Sequence, residues 1–80
     1  MDYIYVYNEN DEKKKMEVVS IFDLTDNEYK YIIYKPLDKL EYFIGKYKGN
    51  KIVDLETDLS DLEMELANAV LKKVLGDNNA

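Results

Sequence analysis

The spacing of apolar residues changes once along this chain, close to residue 57, and this change limits the possible folds more than any other feature. Up to residue 55 the apolar residues alternate with polar ones or form short blocks rich in Ile, Val, Tyr and Phe, which is typical of β-strands. From Leu59 through Leu62 and Leu66 to Val74 they recur every three or four residues, as on one face of a helix. The sequence therefore predicts an α+β fold.

Turn and capping residues set the predicted boundaries. Pro36 ends one strand because it has no N–H to donate, and Gly49 with Asn50 fits a two-residue hairpin loop. Ser60 and Glu63 have the spacing of a capping box at the helix start. We predict one small domain over residues 1–80, a curled antiparallel meander of about five strands with one C-terminal helix packed on one face. The strands cover residues 3–7, 16–24, 29–35, 41–48 and 51–55, and the helix covers residues 60–75.

Several predicted strands are apolar at both odd and even positions, as at Val18 and Val19 or at Ile32 and Ile33. A strand covered on one face alternates, whereas a strand covered on both faces does not. One helix of this length covers only one face of such a sheet. We therefore expect the second face to be closed by curling into a small barrel, covered by another subunit, or left as an amphipathic tyrosine surface.

Tyr3, Tyr5 and Tyr7 share one face of the first strand, while Ile4 and Val6 occupy the other. Tyrosine suits a half-exposed surface because its apolar ring ends in a polar hydroxyl. These three tyrosines are the predicted partner face, either for another protein or for weak self-association. The leading hypothesis is accordingly a small non-catalytic cytoplasmic protein-interaction module.

The composition excludes several kinds of chemistry. The 80 residues include no Cys, His, Trp or Arg, which removes thiol chemistry, imidazole catalysis and the usual zinc ligands. There is no glycine-rich phosphate loop, so we predict no catalytic, cofactor-binding or metal-binding residues and no enzymatic activity. The net charge of −6 opposes direct nucleic-acid binding. No apolar run approaches the length of a membrane span and no export signal is recognisable, so we expect a cytoplasmic location without membrane contact.

Acidic residues with no lysine between them surround the predicted start of the helix. Oxygen-bearing side chains fall at the ligand positions of a calcium loop, but Leu59 stands where such a loop needs glycine. The pattern therefore favours capping of the helix over a metal site. It also supports an alternative function, an acidic inhibitor that imitates nucleic acid and occupies a basic groove of a partner protein. The residues of this acidic patch are Asp54, Glu56, Asp58, Asp61, Glu63 and Glu65.

Three segments carry a resemblance to a known family: YKYIIYKP over residues 29–36, EYFIGKY over residues 41–47, and the acidic entry into the helix over residues 52–75. Together with the order of strands and helix, they resemble the YrzB-like family of short acidic bacterial proteins of unknown function. The resemblance covers residues 3–75. It implies a small β-sheet with a helix, no known activity and no assigned catalytic residue.

Overall fold

A computed structural model describes residues 2–7, 9–24, 28–49 and 55–76. Neighbouring strands in these ranges are antiparallel and follow the order β1-β2-β3-β4. The predicted α+β class, the curled antiparallel meander and the C-terminal helix are confirmed. The elements are β1 (Tyr3–Tyr7), β2 (Lys13–Phe22), β3 (Tyr29–Pro36), β4 (Phe43–Lys48) and α1 (Asp61–Gly76).

The described residues form four strands, one fewer than the predicted number of about five. Most of the predicted fifth strand, residues 51–54, lies outside the described part of the chain. After that segment, Glu56 makes a single antiparallel bridge to Lys46 of β4, with backbone hydrogen bonds of 2.9 and 2.8 Å. Gly45 permits this close approach, since a Cβ atom there would lie 2.9 Å from the Leu55 side chain.

β2 begins at Lys13, three residues before its predicted start at residue 16. In the structure the lysines of residues 13–15 pair with β1, from Lys13 opposite Tyr7 to Lys15 opposite Tyr5. The tyrosine rings give the lysine stems an apolar surface to pack on, which makes lysine favourable at these exposed strand positions. The other predicted boundaries of the four strands and the helix differ from the structure by at most two residues.

β2 contains a bulge at Val19, where the pairing with β3 moves from Val18–Tyr34 to Ser20–Ile33. One extra residue reverses which side chains point to each face of the sheet. Even-numbered residues before the bulge therefore share a face with odd-numbered residues after it. This reversal explains why β2 is apolar at both odd and even positions.

The sheet curls around one apolar cluster, and we call the side that carries it the core face. A flat sheet would hold β1 and β4 about 14 Å apart, yet Ile4 of β1 and Tyr47 of β4 belong to the same cluster. Curling therefore turns this face inward as a half-barrel and does not complete the small barrel that was one of the three predicted outcomes. The cluster consists of Ile4, Met16, Ile32, Tyr34 and Tyr47, with Val6, Val18 and Leu55 packed at its border.

α1 packs on the opposite side of the sheet, the helix face. Glu63 in its first turn contacts both Tyr31 of β3 and Lys46 of β4, which are directly paired across the two strands. Tyr31 and Ala67 are fully buried, whereas Leu62 is 61% exposed. The predicted inclusion of Leu62 in the buried stripe is therefore wrong, because the inward position in that turn belongs to Glu63.

Candidate functional site

β1 is an edge strand, paired with β2 on one side in the described part of the chain. The Asp2 carbonyl accepts a hydrogen bond from the Val18 N–H at 2.8 Å. Hydrogen-bonded and non-hydrogen-bonded pairs alternate in an antiparallel ladder, so every second residue from Asp2 onward bonds to β2. The backbone N–H and C=O groups of Tyr5 and Tyr7 therefore point away from the sheet, along what we call the β1 edge.

A tyrosine–lysine ladder, formed by Tyr3, Tyr5, Tyr7, Lys13 and Lys15, lies beside the β1 edge. The Lys13 Nζ lies 4.3 Å from the centroid of the Tyr5 ring, and the Lys15 Nζ lies 4.3 Å from that of Tyr3. Both are cation–π contacts between diagonal neighbours on adjacent strands. The three tyrosines remain 43%, 51% and 65% exposed in chain order. The ladder therefore presents aromatic surface and positive charge together.

The lysines of the ladder have no carboxylate within 4 Å among the residues that the structure describes. The ion pairs found there use Lys30, Lys35, Lys46 and Lys48 instead. The next acidic residue along β2 is Glu17, and its carboxylate Oε1 lies 3.8 Å from the Lys35 Nζ. Lys13 and Lys15 thus form a locally positive surface on a protein of net charge −6.

Tyr3, Tyr5 and Tyr7 lie on the helix face of the sheet. They are not on the opposite face, where the sequence allowed for an amphipathic tyrosine surface. The register places Tyr3 opposite Glu17, and Glu17 opposite Lys35 in β3. Lys35 points to the same side as Tyr31, which meets α1, because side chains two or four residues apart share a face of a strand. Tyr3, Tyr5 and Tyr7 are therefore on the helix face, exposed at its margin beyond the reach of α1.

A groove of about 1010 Å³ opens on the core face beside the β1 edge. Its lining comes from both margins of the curled sheet, with Val6 of β1 on one side and Leu55 and Thr57 after β4 on the other. The segment between β3 and β4, residues 37–41, borders its end. The groove therefore occupies the gap that a further strand next to β1 would close. Its apolar lining includes Val6, Met16, Tyr34, Leu37, Phe43 and Leu55, its charged lining includes Lys14, Lys15, Asp38, Lys39 and Glu41, and Tyr5 and Tyr7 border it at the β1 edge.

Tyr34 gives the groove a polar group at its floor. The residue is only 5% exposed, its ring stacks on Phe43 at 5.8 Å between centroids, and burial raises the pKa of its hydroxyl. No residue in the described ranges forms a hydrogen bond with that hydroxyl. It is not sealed from solvent either, since the structure has no fully enclosed unpaired side-chain oxygen in those ranges. Tyr34 therefore lines the groove with a hydroxyl that the described residues do not enclose.

The residues of the predicted acidic patch differ in their exposure. Four of its residues are exposed, while Asp54 lies outside the described part of the chain. Glu63 turns toward the sheet and is not part of the exposed surface. No group of three or more acidic side chains in the described ranges is placed to hold a metal ion. The exposed members are Glu56, Asp58, Asp61 and Glu65.

Glu63 connects the capping box to the sheet. Its carboxylate accepts hydrogen bonds from the Ser60 N–H at 2.9 Å and from the Tyr31 hydroxyl at 2.5 Å. Lys46 donates to both carboxylate oxygens at 3.1 Å, and the Ser60 hydroxyl accepts from the Glu63 N–H at 3.1 Å. These interactions, led by the Ser60 backbone and then Tyr31, lower the pKa of Glu63 from 4.5 to about 2. The negative charge of Glu63 therefore interacts with Ser60, Tyr31 and Lys46 within the protein.

The sequence pattern predicts the exposed tyrosines but neither the ladder lysines nor the groove. Lys13 and Lys15 alternate with the same period as Tyr3 and Tyr5, and that matching period was the available signal. The groove had no such signal, because it depends on how far the sheet curls. Its floor residue Tyr34 is indistinguishable in the sequence from the core residues around it.

No family model matches the chain, and no curated protein or solved structure is detectably similar to it. The resemblance to the YrzB-like family therefore stays a prediction. Within the described ranges, no helix has both the length and the apolar character needed to cross a membrane.

Proposed function

We propose that this protein is a small non-catalytic interaction module that binds an extended segment of a partner protein along the β1 edge. The observation that carries the proposal is the β1 edge, which has no second neighbouring strand in the described part of the chain and is flanked by three exposed tyrosines, Tyr3, Tyr5 and Tyr7. The backbone groups of such an edge bind an added strand, and neighbouring side chains select its sequence. Weak self-association would use the same backbone groups.

The proposal places the protein in the cytoplasm, with a protein partner and without direct contact to nucleic acid or membrane. The net charge of −6 supports the exclusion of nucleic acid, because a phosphate-backbone binder gains affinity from a surplus of cations. The two ladder lysines are too few to reverse that balance. The residue types support the absence of catalysis, since the chain has no Cys or His.

A pair of substitutions at Tyr5 tests the proposal. Tyr5→Pro removes the outward N–H while leaving the ladder to β2 intact, because proline is tolerated where the N–H of an edge strand faces solvent. Tyr5→Thr removes the same ring but keeps that N–H. In capture experiments from the native cell, we expect the proline variant to retain its partner about tenfold less than the threonine variant. Nuclease treatment of the lysate is expected to leave the captured proteins unchanged.

Thermal melting of the two variants is the control for an intact fold. Both variants should melt within a few degrees of each other, since Tyr5 is half exposed and its N–H lies outside the sheet ladder. Equal capture by the proline and threonine variants, with both folded, would show that the β1 edge is not the binding surface. Loss of the captured proteins on nuclease treatment would show that nucleic acid bridges them.

A second candidate function is the acidic inhibitor that imitates nucleic acid. The exposure of Glu56, Asp58, Asp61 and Glu65 around the start of α1 favours it. In that case the captured partner is a basic protein that DNA displaces, and Tyr5→Pro has no effect. Replacing Asp58 and Asp61 with Asn should then weaken capture, whereas a partner bound at the β1 edge is insensitive to that change.

A further inference from the structure

We infer that the segment bound at the β1 edge alternates apolar and acidic residues, with the apolar ones in the groove and the acidic ones against Lys13 and Lys15. This inference rests on the proposed function and adds the chemistry of the partner. A strand next to β1 must present alternate side chains to the two faces of the sheet. Those two faces differ in character at this edge, so they select different residue types.

On the helix face, an added strand meets the tyrosine–lysine ladder. A residue paired with Tyr5 would have its Cβ about 5 Å from the tyrosine Cβ. The Lys13 ammonium lies 4.3 Å from the centre of that tyrosine ring, so a carboxylate at the paired position is within its reach. The ladder lysines lack a carboxylate partner in the described part of the chain. Charge complementarity therefore selects Asp or Glu at these positions.

On the core face, the same strand meets the groove. Residues next to Val6 would point between the two margins of the curled sheet, where Met16 and Leu55 line the groove together with Lys14, the cross-strand partner of Val6. These positions gain by removing apolar surface from water, at about 25 cal/mol per Å². The Tyr34 hydroxyl at the floor offers a hydrogen bond to a backbone or side-chain oxygen of the entering segment. Valine, isoleucine or leucine therefore fits the alternate positions.

The test uses three acetylated, fluorescent peptides of about six residues, a usual strand length. One alternates Glu and Val, one alternates Lys and Val, and one alternates Glu and Ser. We expect the Glu/Val peptide to bind at least about tenfold more tightly than either of the others, by anisotropy at low salt. Its affinity should fall as the salt concentration rises, because the ladder lysines are exposed and screened.

Matched charge variants locate the binding. Replacing Lys13 and Lys15 together with Gln should lower the affinity for the Glu/Val peptide by about tenfold. The ratio of the affinity for the Glu/Ser peptide to that for the Glu/Val peptide should stay unchanged, because both peptides carry the same charges. Replacing the exposed helix lysines Lys72 and Lys73 with Gln changes net charge equally and should leave the affinity within about twofold. Equal loss from the two double variants would overturn the assignment to the ladder.

The outcomes separate this inference from the proposed function. If Lys/Val binds as tightly as Glu/Val and Tyr5→Pro weakens both, the β1 edge binds strands but the inferred partner chemistry is wrong. If Tyr5→Pro binds Glu/Val like the unaltered protein, both the inference and the edge site are wrong. Absence of binding by all three peptides overturns the inference, while capture by the Tyr5 variants still decides the proposed function.

Discussion

Replacing Ile32 with Ala is expected to lower the free energy of unfolding by about 2–5 kcal/mol. Ile32 lies in the central strand β3, is fully buried and belongs to the core cluster that closes the curled sheet. Removing its side chain leaves a cavity that the paired strands on both sides cannot fill. A domain of this size has about 4–12 kcal/mol of stability, so the variant should unfold at much lower urea concentration.

The control is Ile21→Ala. Ile21 is the direct cross-strand partner of Ile32, has the same chemistry and lies on the same face of the sheet. It is 47% exposed and, unlike Val18 before the bulge in β2, is not packed against the core cluster. Ile21→Ala should lower the free energy of unfolding by less than about 1.5 kcal/mol. Only part of this side chain is buried, so its removal loses little apolar burial and leaves little cavity. An equal decrease in the free energy of unfolding for the two variants would contradict the placement of Ile32, and not Ile21, in the core cluster.

Replacing Glu63 with Gln is expected to lower the free energy of unfolding by about 3 kcal/mol at pH 7, with a loss that disappears toward pH 2. The folded protein lowers the pKa of Glu63 from 4.5 to about 2 through its hydrogen bonds to Ser60, Tyr31 and Lys46. Because the folded pKa is the lower one, the ionised carboxylate stabilises the fold above pH 4.5. That contribution is lost as the pH falls from 4.5 through 2.

Denaturant melts of both proteins across this pH range measure the effect. Glu65→Gln is the matched control, since Glu65 is exposed on the same helix, and its loss should stay below about 0.5 kcal/mol throughout. A Glu63→Gln deficit that stays constant between pH 7 and pH 2 would show that the amide disturbs packing, and that the charge of Glu63 does not stabilise the fold.

Features governed by neighbouring residues could be predicted from the sequence. The alternation of residues 3–7 set β1 at its observed bounds, and the Ser60–Glu63 spacing set the capping box. Pro36 ended β3 within one residue of the prediction. Each of these depends on backbone geometry within a few residues, so no knowledge of the rest of the fold was needed.

Features governed by distant contacts could not be predicted. Glu63 points inward because Tyr31 and Lys46, far away in the chain, supply its partners, while Leu62 is left exposed. The bulge at Val19 is visible only once the register of β2 against β3 is known. The groove depends in the same way on the curl that brings Leu55 near Val6.

The direction of the backbone groups in β1 is the most direct test of the account, because the proposed binding depends on it. Residue-resolved amide hydrogen exchange reports that direction. In the free protein we predict fast exchange at Tyr5 and Tyr7, whose N–H groups face outward, and slow exchange at Ile4 and Val6, whose N–H groups bond to β2.

Addition of the Glu/Val peptide should then slow exchange at Tyr5 and Tyr7 while leaving Ile4 and Val6 nearly unchanged. The Lys/Val peptide at the same concentration is the control, and it should leave amide exchange at both tyrosines unchanged. Slow exchange at Tyr5 and Tyr7 in the free protein, or peptide binding that leaves their exchange unchanged, would contradict strand addition at the β1 edge.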